Sequence, residues 1–181
     1  LILKEHYNPI ILRIRALEKP VVAAVNGVAA GAGANIALSC DLCIASQQAS
    51  FIQAFSKIGL VPDSGGSFFL PRLIGLQRAA GLMMLGEKIS GAEAASMGMI
   101  WKAVEDSELQ KVVKETAVTL AALPTTALAL IKKQLESSAY STLAEQLKLE
   151  DTLQQQAAAT HDFKEGVAAF LEKRKANFKG H

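Results

Sequence analysis

The segment Asn26-Gly27-Val28-Ala29-Ala30-Gly31-Ala32-Gly33-Ala34-Asn35 constrains this chain more than any other. It follows an uninterrupted apolar run, Val21-Val22-Ala23-Ala24-Val25, of the kind that forms a strand buried on both faces. It leads into a helix of small residues through Leu38. Residues without bulk let a ligand approach the main chain closely, and a helix start presents unpaired N–H groups at the positive end of its dipole. Such a turn can hold a phosphate or a developing oxyanion. The same glycines and alanines also serve tight helix–strand packing, and the segment alone does not choose between these roles. A dinucleotide-binding turn fits less well, because G-x-G-x-x-G needs a third glycine where Ile36 stands.

Around this turn the pattern alternates strand and helix. Residues 8–18 set Ile10, Ile11, Ile14 and Leu17 against Arg13, Arg15 and Glu18, which predicts an amphipathic helix stopped by Lys19-Pro20. Further short strands are predicted at 42–45 and 49–52, helices from Ser67 onward and over 76–85, and a last strand at 100–104. Ser90 reads as a helix N-cap with Glu93 closing a capping box. From Ser107 the chain is predicted to be mostly helical, over 107–122, 124–138, 142–158 and 161–175. Strands interleaved with helices, then helices alone, predict an α/β core over 1–105 and a helical region over 106–181. Half of the 181 residues are hydrophobic and a fifth are charged, enough apolar material for a substantial core.

Charge and composition exclude several classes of partner. A net charge of +2 is too small for a nucleic-acid-binding surface. Lys173, Arg174, Lys175 and Lys179 cluster near the end, as a solvated helix terminus or a local phosphate contact. Glycines and charges break every apolar stretch before it could cross a bilayer, and no secretory signal is visible, so no membrane partner and a cytoplasmic location are expected. The chain begins Leu1-Ile2-Leu3 without methionine, and the natural N-terminus is expected upstream. Cys40 and Cys43 form a lone C-x-x-C, while His6, His161 and His181 are scattered, so no metal site is expected and both thiols read as buried.

Asp63 is the carboxylate to watch. It stands in the loop Gly59-Leu60-Val61-Pro62-Asp63-Ser64-Gly65-Gly66, in an apolar neighbourhood of Phe51, Phe55, Ile58, Leu60, Val61, Phe68 and Phe69. If those side chains enclose it, desolvation suits it to proton transfer near neutral pH. Pro62-Asp63-Ser64-Gly65 is equally good turn chemistry.

Together these segments resemble the crotonase (enoyl-CoA hydratase/isomerase) family. The likeness is carried by Lys19-Pro20 through Asn26-Gly27, Gly31-Ala32-Gly33, Cys40-Asp41, Gly59-Leu60-Val61-Pro62, Gly65-Gly66 and Leu70-Pro71-Arg72. Ala92-Glu93-Ala94, Gly98-Met99-Ile100 and the stretch from Phe163-Lys164-Glu165-Gly166 to Phe178 extend it nearly to the end. The resemblance implies a spiral of ββα turns, of which this chain holds the C-terminal part, followed by a helical trimerisation region in a homotrimer or dimer of trimers. It implies an acyl-CoA thioester substrate, with CoA part of that substrate and no separate cofactor. The thioester oxygen would sit in an oxyanion hole to which Ala32 contributes its backbone N–H, flanked by Gly31 and Gly33. Each such donor is worth roughly a hundred- to a thousandfold in rate. Phe170 and Lys173 match positions that help hold CoA; read without the family, they are a core phenylalanine and a solvated lysine.

Departures from the family pattern bear on the reaction. The two glutamates with which hydratases activate water correspond to Asn35 and Phe55, neither of which is a general acid or base. Asp63 matches the carboxylate of isomerase members, which move a double bond or open a ring epoxide to an oxepin, with Phe55 lining the substrate. A hydratase or another reaction of the family, and a catalytically silent acyl-CoA-binding subunit, are the alternatives. The family segment that carries the other oxyanion-hole N–H has no counterpart here, so a longer natural protein is expected.

Overall fold

Strand β1 (Val22–Val25) and strand β2 (Val28–Ala30) flank the bend at Asn26-Gly27, yet they enter different sheets. Helix α2 (Ala32–Ser39) then carries the chain to β3 (Leu42–Ser46), which lies parallel to β1 from Val22 opposite Leu42 to Val25 opposite Ala45. Strand β4 (Ser50–Ile52) lies parallel to β2, with Ala30 opposite Ile52. Two strands and a helix thus form one turn of a spiral, and the next turn stacks its strands on the same two sheets. These stacked ββα turns are the spiral expected from the sequence, in a chain of mixed α/β class. The computed structural model describes residues 1–181.

Helices α3 (Gly66–Ile74) and α4 (Leu76–Leu85) follow, then β5 (Lys88–Ser90), antiparallel to β4. Helix α5 (Gly91–Ser96) begins at the capping box, in which the Glu93 N–H donates to Ser90 Oγ and the Ser90 N–H donates to the Glu93 carboxylate. Strand β6 (Lys102–Val104) completes the order β1-β3-β6 beside β2-β4-β5. Neither β2 nor β5 was predicted: each has three residues, too few to show a period of two. Helix α1 (Asn8–Ala16) ends earlier than predicted and buries only Ile11, leaving Ile10 exposed. Arg15 at its end donates to Asp41, whose other carboxylate oxygen accepts the Val21 N–H, so Asp41 staples α1 to the entry of β1.

The chain divides into two compact units, one of 1–16 and 21–114, the other of 17–20 and 115–181. In the first, Ala34, Leu38, Cys43, Phe51, Leu70 and Met99 belong to one apolar core. Burial pushes the Cys43 thiol up to about 12, with Cys40 adding to the effect, so it stays protonated. Cys40 is only half-buried, because it caps α2 rather than entering the strand. Leu70 is completely buried. Leu70→Ala is expected to cost about 3 kcal/mol, read as a lower urea midpoint at unchanged slope.

Helix α6 (Leu109–Ala121) runs from the first unit into the second, which holds α7 (Thr125–Ser138), α8 (Leu143–Ala158) and α9 (His161–Leu171). Helix α9 stops short of the predicted 175. Lys173 adopts the left-handed conformation that glycine usually takes at a helix end (φ 55°). Its N–H donates to the Phe170 carbonyl and that of Arg174 to the Ala169 carbonyl, closing a Schellman cap.

The tail is then strapped back onto α9. Glu165 accepts two bonds from the Arg174 guanidinium and one from the Asn177 N–H, which hold its carboxyl down to about 2. Asp162, 2% exposed, accepts the N–H groups of Lys179 and Gly180, each at 2.7 Å. Burial pushes its pKa up, but these two bonds and neighbouring His161 outweigh that and hold it below the ordinary value. A depressed carboxylate stabilises the fold above its unfolded pKa near 3.8 and loses that contribution as pH falls through the folded value. Hydrogen-exchange protection of the Lys179 and Gly180 amides should therefore persist above pH ~4 and fall away below it. Asp162→Asn, which removes the charge and turns one of the two accepting oxygens into an NH2 donor, should speed their exchange about tenfold at neutral pH.

Candidate active site

The glycine-rich turn is built by two demands on Gly31. Its backbone (φ 52°, ψ −121°) suits glycine alone, and the ring of Phe55 presses on its α-carbon, 3.3 Å from where a Cβ would stand. Its N–H donates to the Ile52 carbonyl at 2.8 Å, tying the turn to the end of β4. Helix α2 starts at the next residue, so the N–H groups of Ala32, Gly33 and Ala34 have no acceptor within the helix. Ala32 is half-buried and Gly33 exposed. This is a helix start that favours negative charge.

The turn of 3-10 helix Ala54–Ile58 ends at Gly59 in the left-handed conformation and opens the loop to Asp63. The Asp63 carbonyl accepts the Gly66 N–H at 2.8 Å and the Asn35 side-chain amide at 2.9 Å. Its carboxylate accepts Ser64 Oγ at 2.9 Å. Ser64 is buried and held at φ 50°, with Gly65 also left-handed, so the chain turns sharply after the carboxylate. The enclosure predicted for Asp63 differs in detail. Phe55 is buried, but Ile58, Leu60 and Val61 are 71%, 59% and 79% exposed, and Asp63 itself is half-buried. The bond from Asn35 ties the loop's main chain to α2 and that from Gly66 closes the turn, while those side chains stay outside.

Asn35 is completely buried, and its Oδ1 accepts Gln53 Nε2 at 2.7 Å. Gly66 leaves no room for a Cβ against the Asn35 amide. Gln53 and Ser64 were not among the residues singled out from sequence. The one hint was the position of Gln53, directly after the strand and before the turn that buries Phe55.

The first unit thus brings Gly31, Ala32, Gly33, Phe55 and Asp63 onto one framework, with one carboxylate and no titratable group at Asn35 or Phe55. A carboxylate near a helix start can move protons while the N–H groups stabilise an oxyanion. Phe170 and Lys173 belong to the second unit, at the end of α9. Phe170 is 82% exposed there and borders an apolar cavity of about 410 Å³ with Pro124, Phe163, Val167 and Phe178. No three His, Cys, Asp or Glu side chains stand together as metal ligands. No helix is long and apolar enough to cross a membrane.

Residues 2–181 match the enoyl-CoA hydratase/isomerase family. The chain is 48% identical over 179 residues to a Rhodobacter capsulatus protein named probable enoyl-CoA hydratase, covering 99% of this chain and 70% of that protein. It is 48% identical over 174 residues to the 1,2-epoxyphenylacetyl-CoA isomerase of Escherichia coli K12, covering 96% of this chain and 66% of the isomerase. The crystal structure of an enoyl-CoA hydratase from Polaromonas sp. JS666 superimposes with a TM-score of 0.92 at 36% identity, over 96% of this chain and 67% of that one. The chain spans about two thirds of the length of these relatives. The stacked ββα turns and the glycine-rich helix start therefore have their counterparts across almost every residue, and the chain belongs to the crotonase, or enoyl-CoA hydratase/isomerase, family.

Proposed function

We propose that the protein is an acyl-CoA isomerase that moves a double bond, or opens a ring epoxide to an oxepin, with Asp63 as the proton shuttle. The observation that carries this reading is where the carboxylate stands: the main chain of Asp63 is bonded to Asn35 in the first turn of α2, while the positions of the hydratase glutamates hold buried Asn35 and Phe55. The thioester oxygen accepts the Ala32 N–H, and Gly31 and Gly33 let the acyl group approach the backbone. For a double-bond shift, Asp63 takes a proton from the carbon next to the thioester carbonyl, and the electron pair moves onto the carbonyl oxygen as a dienolate. The same carboxylic acid returns the proton at the far end of the conjugated system, so no atom is gained or lost. Phe55 walls the acyl side, and Phe170 and Lys173 from a neighbouring subunit hold CoA, which enters as part of the substrate; no other cofactor is needed. We place the enzyme in the cytoplasm, as a homotrimer or dimer of trimers.

The E. coli relative supports the ring-epoxide branch and, with it, a place in phenylacetate catabolism. The name of the R. capsulatus relative favours hydration as the second reading, which needs a further acid/base besides Asp63. The test is conversion of a 3-enoyl-CoA to its conjugated 2-enoyl isomer by the full-length protein and by Asp63→Asn, with hydration followed in the same reaction.

A further inference from the structure

We infer that Gln53 and Asn35 form a two-amide relay that positions Asp63 against the helix start, an inference that rests on the proton-shuttle role of Asp63. An asparagine amide fits its site equally well either way round, so its neighbours must choose the orientation. The Asp63 carbonyl can only accept, and it therefore faces Asn35 Nδ2. Asn35 Oδ1 then needs a donor, and Gln53 Nε2 supplies it at 2.7 Å. This sets Gln53 in turn and leaves its Oε1 buried without a partner.

That orphaned acceptor is the telling feature. An unsatisfied buried oxygen destabilises a fold, and two apolar side chains of similar shape would serve packing as well or better. What apolar side chains cannot supply is direction. With Gln53 in place, the Asn35 amide presents its nitrogen to Asp63, and Gly66, with no room for a Cβ, lets it lie flush against the turn. Ala32 and Asn35 are three residues apart on α2, about one turn. The helix that offers the proposed oxyanion donor therefore also carries the amide that fixes the base, so Gln53 sets the spacing between the two. Gln53 and Asn35 are positioning residues; neither touches substrate in this scheme.

The experiment is the kcat, KM and pH profile of Gln53→Glu and Gln53→Met in the full-length protein, beside wild type and Asp63→Asn. While protonated, the introduced carboxyl donates to Asn35 Oδ1 as the amide did. Once ionised it attracts Nδ2 instead, the Asn35 amide turns over, and two oxygens face each other at the Asp63 carbonyl. The kcat of Gln53→Glu relative to wild type should then fall about ten- to a hundredfold as pH rises, with KM within about twofold. The ionisable groups near the pair are Asp63, Glu87 on the small cavity that Gln53 lines, and Lys57 near the Gln53 carbonyl. All three are common to both proteins and cancel in that ratio.

Gln53→Met, which neither donates nor titrates, should lose about tenfold in kcat at every pH, and it decides the matter should Gln53→Glu fail to fold. Circular dichroism at each pH confirms that folded enzyme is compared. A Gln53→Glu ratio independent of pH, or full kcat in Gln53→Met, overturns the relay. If Asp63→Asn stays active, the proton-shuttle reading falls first; if it is inactive while the Gln53 variants match wild type, the relay alone falls.

Discussion

Asp63→Asn should lower the kcat for isomerising a 3-enoyl-CoA about a thousandfold, with KM within about twofold. The substitution keeps the volume of the side chain and an oxygen to accept the Ser64 Oγ bond. It also keeps the main-chain bonds from Asn35 and Gly66, which do not involve the side chain of residue 63. Only the ability to take up a proton and return it is lost. General acid–base catalysis contributes about 10²- to 10⁴-fold, and one group doing both transfers should lie toward the upper part of that range. Residual turnover reflects binding and the helix start, which the variant retains. A variant as active as wild type would remove Asp63 from the chemistry. Hydration by wild type at a rate comparable to isomerisation would instead require a second acid or base.

The second large effect concerns stability. Gly91→Ala should cost about 3 kcal/mol or more, read as a fall in the urea midpoint at unchanged slope. Gly91 is the buried first residue of α5, and its N–H donates to the Ala49 carbonyl at 2.7 Å. A Cβ there would run into the Ser46 carbonyl, with Ala45 Cβ 3.3 Å away. The obstacle is main chain and cannot swing aside. Ser46 ends β3, between β1 and β6; its carbonyl accepts the Ala49 N–H and its hydroxyl is bonded to Asp106. Gly81→Ala is the control. Gly81 lies within α4 with open space where a Cβ would go, so the change should be neutral or stabilise by about 0.5–1 kcal/mol.

Helix α4 was legible from sequence to the residue, as was the capping box at Ser90 and Glu93, because periodicity and cap chemistry are local signals. The glycine-rich turn and Asp63 were legible as candidates for the same reason. Gln53 was not: its partner Asn35 is 18 positions away, and the bond exists only because β4 lies beside β2. Nor was the end of α9, where a lysine does what the sequence pattern reserves for glycine. The exposure of Ile58, Leu60 and Val61 was misjudged because apolar composition predicts burial only on average.

The bond from the Gly31 N–H to the Ile52 carbonyl has a consequence for how the protein folds. The turn reaches its shape only when β4 has docked on β2, and the Asp63 loop only when Asn35 meets Gln53, the residue that follows that strand. Neither piece can form within one stretch of chain. A slip of one residue in the parallel register would take the Ile52 carbonyl away from Gly31 and displace Gln53, the next residue, from Asn35, breaking both at once. The candidate site therefore has no local folding equilibrium of its own. It appears with the non-local, slowly formed parallel pairing and disappears with it, so partially assembled chains should not display half a site.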